Sequence, residues 1–188
     1  FETTGLQPEV DRVIEVAAIL FKDGEPADRY TTLVNPGIPI PKLIEEITGI
    51  TNNMVADAPS ESSIIDEFFQ FIGDIPIVAH NTPFDLAYLE AMADRHDKKL
   101  PDRKYYDTLT LSRGILYFQP AHNLSAVSDY FSLSTEGAHR AESDTENCGQ
   151  IFVELIEEAS SYSLELISRI VALLKPFQIH NKELFINL

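Results

Sequence analysis

Residues 12–21, Arg-Val-Ile-Glu-Val-Ala-Ala-Ile-Leu-Phe, form a nearly unbroken β-branched and apolar run that stops at Lys22-Asp23-Gly24. A run of this kind followed by turn residues predicts a strand, and the strand-like residues 29–34 behind the turn predict its antiparallel hairpin partner. If Phe1-Glu2-Thr3-Thr4 is the end of a preceding strand, the chain opens as three sequential strands. Beyond Asn35-Pro36-Gly37 the apolar period lengthens, predicting a short helix over 41–47 and a longer one over 60–71. Strand and helix signals then alternate: strand 75–79, helix 83–95, strand 104–107, helix 108–116 and a long amphipathic helix 142–159. Such alternation predicts an α/β sheet with helices packed on it. A further amphipathic helix spans 163–174, and Pro176 ends it.

With 188 residues, 44% of them hydrophobic and including 11 Phe and 7 Tyr, the chain can bury one sizeable core plus a short extension. No apolar run approaches the roughly 20 residues of a membrane-spanning helix, and no basic stretch followed by an apolar signal core opens the chain. The expectation is a soluble protein with no membrane partner. A single cysteine, Cys148, excludes an internal disulfide framework and fits a reducing, cytoplasmic compartment. The formal charge of −16 opposes tight non-specific binding of a polyanion. It does not oppose a local metal site, where clustered carboxylates meet phosphate through cations. Residues 1–160 carry 28 acidic and 11 basic side chains and residues 161–188 carry 2 and 3, a shift that marks a boundary near 160.

Three short strings set a carboxylate beside structure-specific neighbours: Phe1-Glu2-Thr3-Thr4-Gly5, His80-Asn81-Thr82-Pro83-Phe84-Asp85 and His139-Arg140-Ala141-Glu142-Ser143-Asp144. Among 30 acidic residues a single Asp or Glu is most often a solvated charge. Position distinguishes these three. Glu2 ends a strand, Asp85 opens a helix behind an apolar strand, and Asp144 lies early in the long helix, so all three can converge at one sheet edge. Hard oxygen ligands suit Mg²⁺ or Mn²⁺. Two such ions stabilise both oxygens of an in-line phosphodiester displacement, which makes a nuclease the hypothesis. His139, five residues before Asp144, belongs to the loop entering the helix, where an imidazole can act as a base. His80 has two readings, a backbone-bonded strand end and a substrate contact. Phe84 likewise reads as a core aromatic or as a stacking surface.

These strings, in this order, resemble the motifs Asp-x-Glu-Thr-Thr-Gly, His-Asn-x-x-Phe-Asp and His-x-Ala-x-x-Asp of the DnaQ-like exonuclease superfamily, in its histidine-containing, four-carboxylate subgroup. The resemblance runs from Phe1 to about Glu158 and includes Leu33-Val34-Asn35-Pro36, Ile47-Thr48-Gly49-Ile50-Thr51, Tyr106-Asp107-Thr108-Leu109 and His122-Asn123-Leu124. It implies a ribonuclease H-like α/β fold with a mixed five-stranded sheet flanked by helices, and a 3′-to-5′ exonuclease releasing nucleoside 5′-monophosphates from single-stranded DNA in proofreading or repair. It also implies two divalent ions on Glu2, Asp85 and Asp144, and His139 as general base. Thr3, Thr4, Gly5, Thr48, Met54, His80, Asn81 and Phe84 then fall where the family lines its nucleotide pocket.

The family's first aspartate would stand immediately before Phe1, so the resemblance implies that the sequence begins partway through the first strand of a longer chain. The expected exonuclease domain is 1–159. Residues 160–188 are expected to be a helical extension or a linker to a polymerase or DinG-like helicase domain. RNA exonuclease activity is the alternative, since the same chemistry cuts either backbone. A catalytically silent nucleic-acid-binding module is another, if the missing aspartate is truly absent. The basic cluster Arg95, Lys98, Lys99, Arg103 and Lys104 reads either as a phosphate path or, more commonly, as solvated surface.

Overall fold

The computed structural model describes residues 1–134, 137–174 and 184. Strands β2 (Val13–Lys22) and β3 (Glu25–Leu33) form the predicted hairpin, with Lys22 opposite Glu25. Asp23 and Gly24 both take positive φ, 54° and 86°, as a tight turn matching strand twist requires. β1 (Glu2–Thr3) pairs antiparallel with β2, Glu2 opposite Glu15 and Thr3 opposite Val13, with a register shift between them. Helices α1 (Lys42–Thr48), α2 (Asn52–Val55) and α3 (Glu61–Ile72) follow. Next come β4 (Ile77–Ala79), α4 (Thr82–Arg95), β5 (Tyr105–Asp107) and α5 (Thr108–Ile115), then α6 (Leu124–Tyr130), α7 (Ala141–Ser160) and α8 (Leu164–Leu174). The Pro176 helix stop falls outside the described residues. Among those residues no helix is long and apolar enough to cross a membrane.

The sheet differs from a continuous five-stranded one. Five strands are present among the described residues, grouped as β1-β2-β3 and, separately, as the parallel pair β4-β5. The reason is the length of β1: two residues cover β2 only near Val13 to Glu15. The β2 segment from Ala17 to Phe21, paired with β3 on one side, borders a cavity of about 500 Å³ on the other, and β4 forms a further wall. Helices α3, α4 and α7 close the space. β4 is shorter than its apolar run because the parallel ladder has only three rungs, Ile77 to Tyr105 through Ala79 to Asp107.

Core packing follows the predicted apolar faces. Ile64, Ile65, Phe68 and Ile72 of α3 meet Val13 and Val16 of β2, Val34 beyond β3, and Tyr88, Leu89 and Met92 of α4. The Phe68 ring lies 5.8 Å from that of Phe1 and 5.6 Å from that of Tyr30, tying β1 and β3 to the same helix. A second cluster joins Leu111 and Ile115 of α5, Val127 of α6, Ile151 and Leu155 of α7, and Ile167 and Ile170 of α8. The Tyr162 hydroxyl donates to the Ile115 carbonyl at 2.8 Å. α8 therefore shares a core with the helices before the composition boundary.

Because Ile170 is 2% exposed within that cluster, Ile170→Ala is expected to cost about 2–5 kcal/mol. Equilibrium urea unfolding checks this, and a loss near zero would separate α8 from the cooperative unit.

Candidate active site

Each motif string is fixed by local hydrogen bonding. In the first, Thr3 and Thr4 are buried and their hydroxyls serve the turn: Thr3 donates to the Gly5 carbonyl at 2.6 Å and Thr4 to Asp11 Oδ1 at 3.1 Å. Gly5 leaves room for this arrangement, since a Cβ would come within 2.3 Å of the Asp11 carboxylate and force it to shift. Its carbonyl also accepts from the Tyr88 hydroxyl at 2.9 Å, which locks the end of β1 to α4.

The second string leaves β4 through Asn81, whose φ of 76° turns the chain sharply into α4. Asp107, 3% exposed at the end of β5, holds this corner. Its Oδ1 accepts from the amides of Asn81 at 2.7 Å and Thr82 at 3.0 Å, while Oδ2 caps α5 through the Thr110 amide at 3.1 Å. One carboxylate thus satisfies orphan donors of two helices. The His80 ring has both nitrogens engaged, Nδ1 with the Thr108 hydroxyl at 2.9 Å and Nε2 with the His122 carbonyl at 3.0 Å. Burial, first among its causes, lowers the His80 pKa, so the neutral imidazole donates from Nε2 and accepts at Nδ1.

The third string opens α7. His139 is exposed in a left-handed conformation, φ 65°, and its backbone amide bonds the Asp144 carboxylate. Arg140 precedes the first helical residue in an extended conformation. Its guanidinium reaches Glu15 on β2, Nε at 3.1 Å from Oε2 and the terminal nitrogen at 2.5 Å from Oε1.

The structure brings Glu2, Asp85 and Asp144 to the wall of one cavity, together with His80 and Phe84. Thr3, Thr4, Gly5, Thr48, Met54, Asn81 and His139 do not line it. Thr48 is buried in the α1–α2 turn, donating to the Ile44 carbonyl at 2.9 Å and accepting from the Ile50 amide at 3.1 Å. Met54 is 42% exposed on α2. The Phe84 ring packs 5.0 Å from that of Tyr88. In the basic cluster, Arg95 forks onto Glu61 at 2.8 Å, Lys98 pairs with Asp66, and Arg103 is buried against the carbonyls of Ile72 and Gly73. Most of these charges are spent inside the molecule, in keeping with a structural surface.

Burial makes charge costly at Glu2 and Asp144. Burial pushes the Glu2 pKa up to about 7, with Asp144, Glu15 and Asp85 adding repulsion and the Phe1 amino group opposing it. Asp144 is raised too, by burial first, with the His139 amide and imidazole working against the shift. The Phe1 amino group lies 3.2 Å from Asp85 Oδ1. Among the described residues no three His, Cys, Asp or Glu side chains close into a ready ligand cage. Carboxylates that repel one another have no reason to close without a neutralising ion. The donor set, all oxygen and all on one cleft, fits hard divalent cations.

Sequence reading missed Glu15 and Asp107 as supports of the site. Asp107 carried a signal, a carboxylate three residues before Thr110 at a helix start. Glu15 carried none, being one charge inside an apolar strand.

Residues 1–152 match the exonuclease family RNase_T. The chain is 32% identical over 190 residues to the 3′-5′ exonuclease DinG of Bacillus subtilis, which covers 99% of this chain and 20% of that protein. It is 35% identical over 159 residues to the PolC-type DNA polymerase III of Latilactobacillus sakei, covering 85% of this chain and 11% of that one. The chain therefore spans a fifth or less of the length of these relatives. Exonuclease X, solved in complex with 5′-overhanging duplex DNA, superimposes with a TM-score of 0.65 at 25% identity, over 90% of this chain and 95% of the other. Escherichia coli exonuclease I, solved with a dA16 oligonucleotide, gives 0.73 at 16% identity over 89% and 41%, a likeness of fold. The nuclease domain of 3′hExo, a DEDDh family member bound to rAMP, gives 0.68 at 18% over 82% and 85%. Motif order, carboxylate convergence and these likenesses agree: the chain belongs to the RNase_T exonuclease family, with a ribonuclease H-like α/β fold.

Proposed function

We propose that this chain is a metal-dependent 3′-to-5′ exonuclease that releases nucleoside 5′-monophosphates from single-stranded DNA ends, of the proofreading or repair type. The observation that carries the reading is the convergence of Glu2, Asp85 and Asp144 on the wall of one cleft. These three side chains are the proposed holders of two Mg²⁺ or Mn²⁺ ions. When bound, such ions polarise the scissile phosphate and offset charge on the leaving oxygen.

This chain's own residues do the rest. His139, on an exposed corner held to Asp144 through its amide, takes a proton from the attacking water and returns it to solvent. Phe84 stacks on the terminal base or sugar, which tolerates any sequence. Thr3, Thr4, Gly5, Thr48, Met54, His80 and Asn81 are the proposed remainder of the nucleotide pocket. His80 contributes a ring face, because both its nitrogens are taken.

Residues 1–159 are the proposed exonuclease domain. Residues 160–188 are the proposed extension or linker toward a polymerase or helicase domain, in a cytoplasmic protein.

The test is incubation of 5′-labelled single-stranded DNA and RNA oligonucleotides with Mn²⁺ or with EDTA. Stepwise 3′ shortening of DNA with Mn²⁺ is expected, abolished by EDTA and by Asp144→Asn, with His139→Ala slower by roughly 10²–10⁴-fold. Preference for the RNA oligonucleotide would transfer the reading to an RNA exonuclease. No shortening of either would leave a binding module.

A pH effect follows from Glu2. Its folded pKa, about 7, lies above the ordinary 4.5. The folded state therefore holds a proton that the unfolded chain has lost, and this contribution, full below the ordinary value, disappears as pH rises through about 7. In EDTA the melting temperature of the unaltered protein should fall relative to Glu2→Gln between pH 5 and 8. Parallel profiles would show that Glu2 is not raised.

A further inference from the structure

We infer that Glu15 and Arg140 form a positioning pair that holds the His139–Asp144 segment against Glu2, which rests on the exonuclease reading above. Glu15 is 4% exposed among the apolar side chains that run from Val13 to Phe21 of β2, an expensive place for a carboxylate unless it is fully partnered. Among the described residues its hydrogen-bond partners are Arg140 and Ala141 at the start of α7, 125 residues away in sequence. Oε2 accepts from the Ala141 amide at 2.8 Å and from Arg140 Nε at 3.1 Å, and Oε1 from the Arg140 terminal nitrogen at 2.5 Å. The Ala141 amide is an orphan donor of the first helical turn, and Arg140 has no side-chain cap of its own to offer. Glu15 is therefore the N-terminal cap of α7, supplied across the fold by β2, with a negative charge at the favourable end of the helix dipole.

The geometry joins this cap to the site on both sides. Glu15 stands directly opposite Glu2 in the β1–β2 ladder, so the two carboxylates share one sheet face. Unpaired, they would repel at neighbouring positions, and the Arg140 guanidinium offsets that repulsion. On the helix side, Arg140 lies next to His139, and its carbonyl accepts the Asp144 amide at 3.1 Å. Asp144 in turn bonds the His139 amide. The result is a continuous chain of contacts: Glu2, Glu15, Arg140 with Ala141, then Asp144 and His139. Gly149 and Phe152 of α7 also pack on Phe21 of β2 and Tyr106 of β5, further along the helix, whereas the ion pairs from Arg29 of β3 to Glu142 and Glu146 near its start are exposed, and such pairs fix position weakly. Neither Glu15 nor Arg140 lines the cavity, so the pair acts by placement.

The test uses the full chain and the variants Glu15→Ala, Glu15→Gln, Arg140→Ala and the Ala/Ala double. Three readouts are taken: kcat and KM on 5′-labelled single-stranded DNA with Mn²⁺, Mn²⁺ binding followed by electron paramagnetic resonance without DNA, and hydrogen exchange of the Ala141 and Asp144 amides in EDTA. Each Ala variant should lower kcat and Mn²⁺ affinity by about 10–100-fold, the range for groups that orient metal ligands, with KM nearly unchanged. The double variant should be no worse than either single, because the two act as a unit. Glu15→Gln keeps an acceptor for the Ala141 amide and should recover much of the loss, and exchange at both amides should quicken in the Ala variants. The inference is overturned if Arg140→Ala leaves kcat and Mn²⁺ binding intact while Glu15→Gln abolishes both, which would make Glu15 itself a cation ligand. It is equally overturned if the losses simply add. Should the unaltered protein shorten no oligonucleotide, the exonuclease reading fails by itself, and Mn²⁺ binding with amide exchange still decides the clamp. Should Glu15→Ala fail to fold, Glu15→Gln and Arg140→Ala carry the same comparison.

Discussion

Three carboxylates that would each be better solvated apart are held on one half-buried cleft, and the rest of the molecule is organised around tolerating that arrangement. Burial first, with repulsion from neighbouring carboxylates behind it, raises the pKa of Glu2 to about 7, and burial raises that of Asp144. A backbone that could relax would let these side chains swing out to water. It is prevented from doing so by apolar packing around Phe68 and Tyr88 on one side and around Leu111, Ile151 and Leu155 on the other. Oxygen ligands whose charge is made costly by burial suit hard divalent cations, which would offset that cost on binding.

The corners that carry the site are each secured by one buried carboxylate that is not part of the cleft wall. Asp107 gathers the amides of Asn81, Thr82 and Thr110, fixing where α4 begins and therefore where Asp85 points. Glu15 does the corresponding work at the start of α7 for Asp144. In both places charge-assisted hydrogen bonds to backbone donors replace hydration, which is why charges can sit at 3% and 4% exposure. Left-handed residues mark the same corners, Asn81 at 76° and His139 at 65°, and a backbone held there needs such over-determination.

Much of this was legible in the amino-acid sequence. The Asp23-Gly24 turn predicted the hairpin, and the apolar faces at Ile64, Ile65, Phe68 and Ile72 predicted α3 and its buried side. α2 and α6 escaped because one or two turns are too short to show a period, although Thr51 and Asn123 each cap them through a side-chain oxygen. The expected single five-stranded sheet appears as three strands and two, since a two-residue β1 cannot bridge β2 to β4. Of the residues expected to line a nucleotide pocket, Phe84 and His80 reach the cavity, while Thr3, Thr4 and Thr48 spend their hydroxyls on nearby backbone or side-chain groups.

The sequence by itself determined the strands and the longer helices, and which carboxylates and imidazole are candidates for chemistry, because periodicity and motif spacing are local properties of the chain. Only the tertiary structure decided that Glu2, Asp85 and Asp144 share one cleft, that both His80 nitrogens are engaged by the protein, and that Glu15 caps a helix 125 residues away. Those facts depend on burial and on hydrogen bonds between distant elements. A carboxylate in an apolar strand has no sequence-visible partner, and its cost can be met only by a donor that folding brings to it.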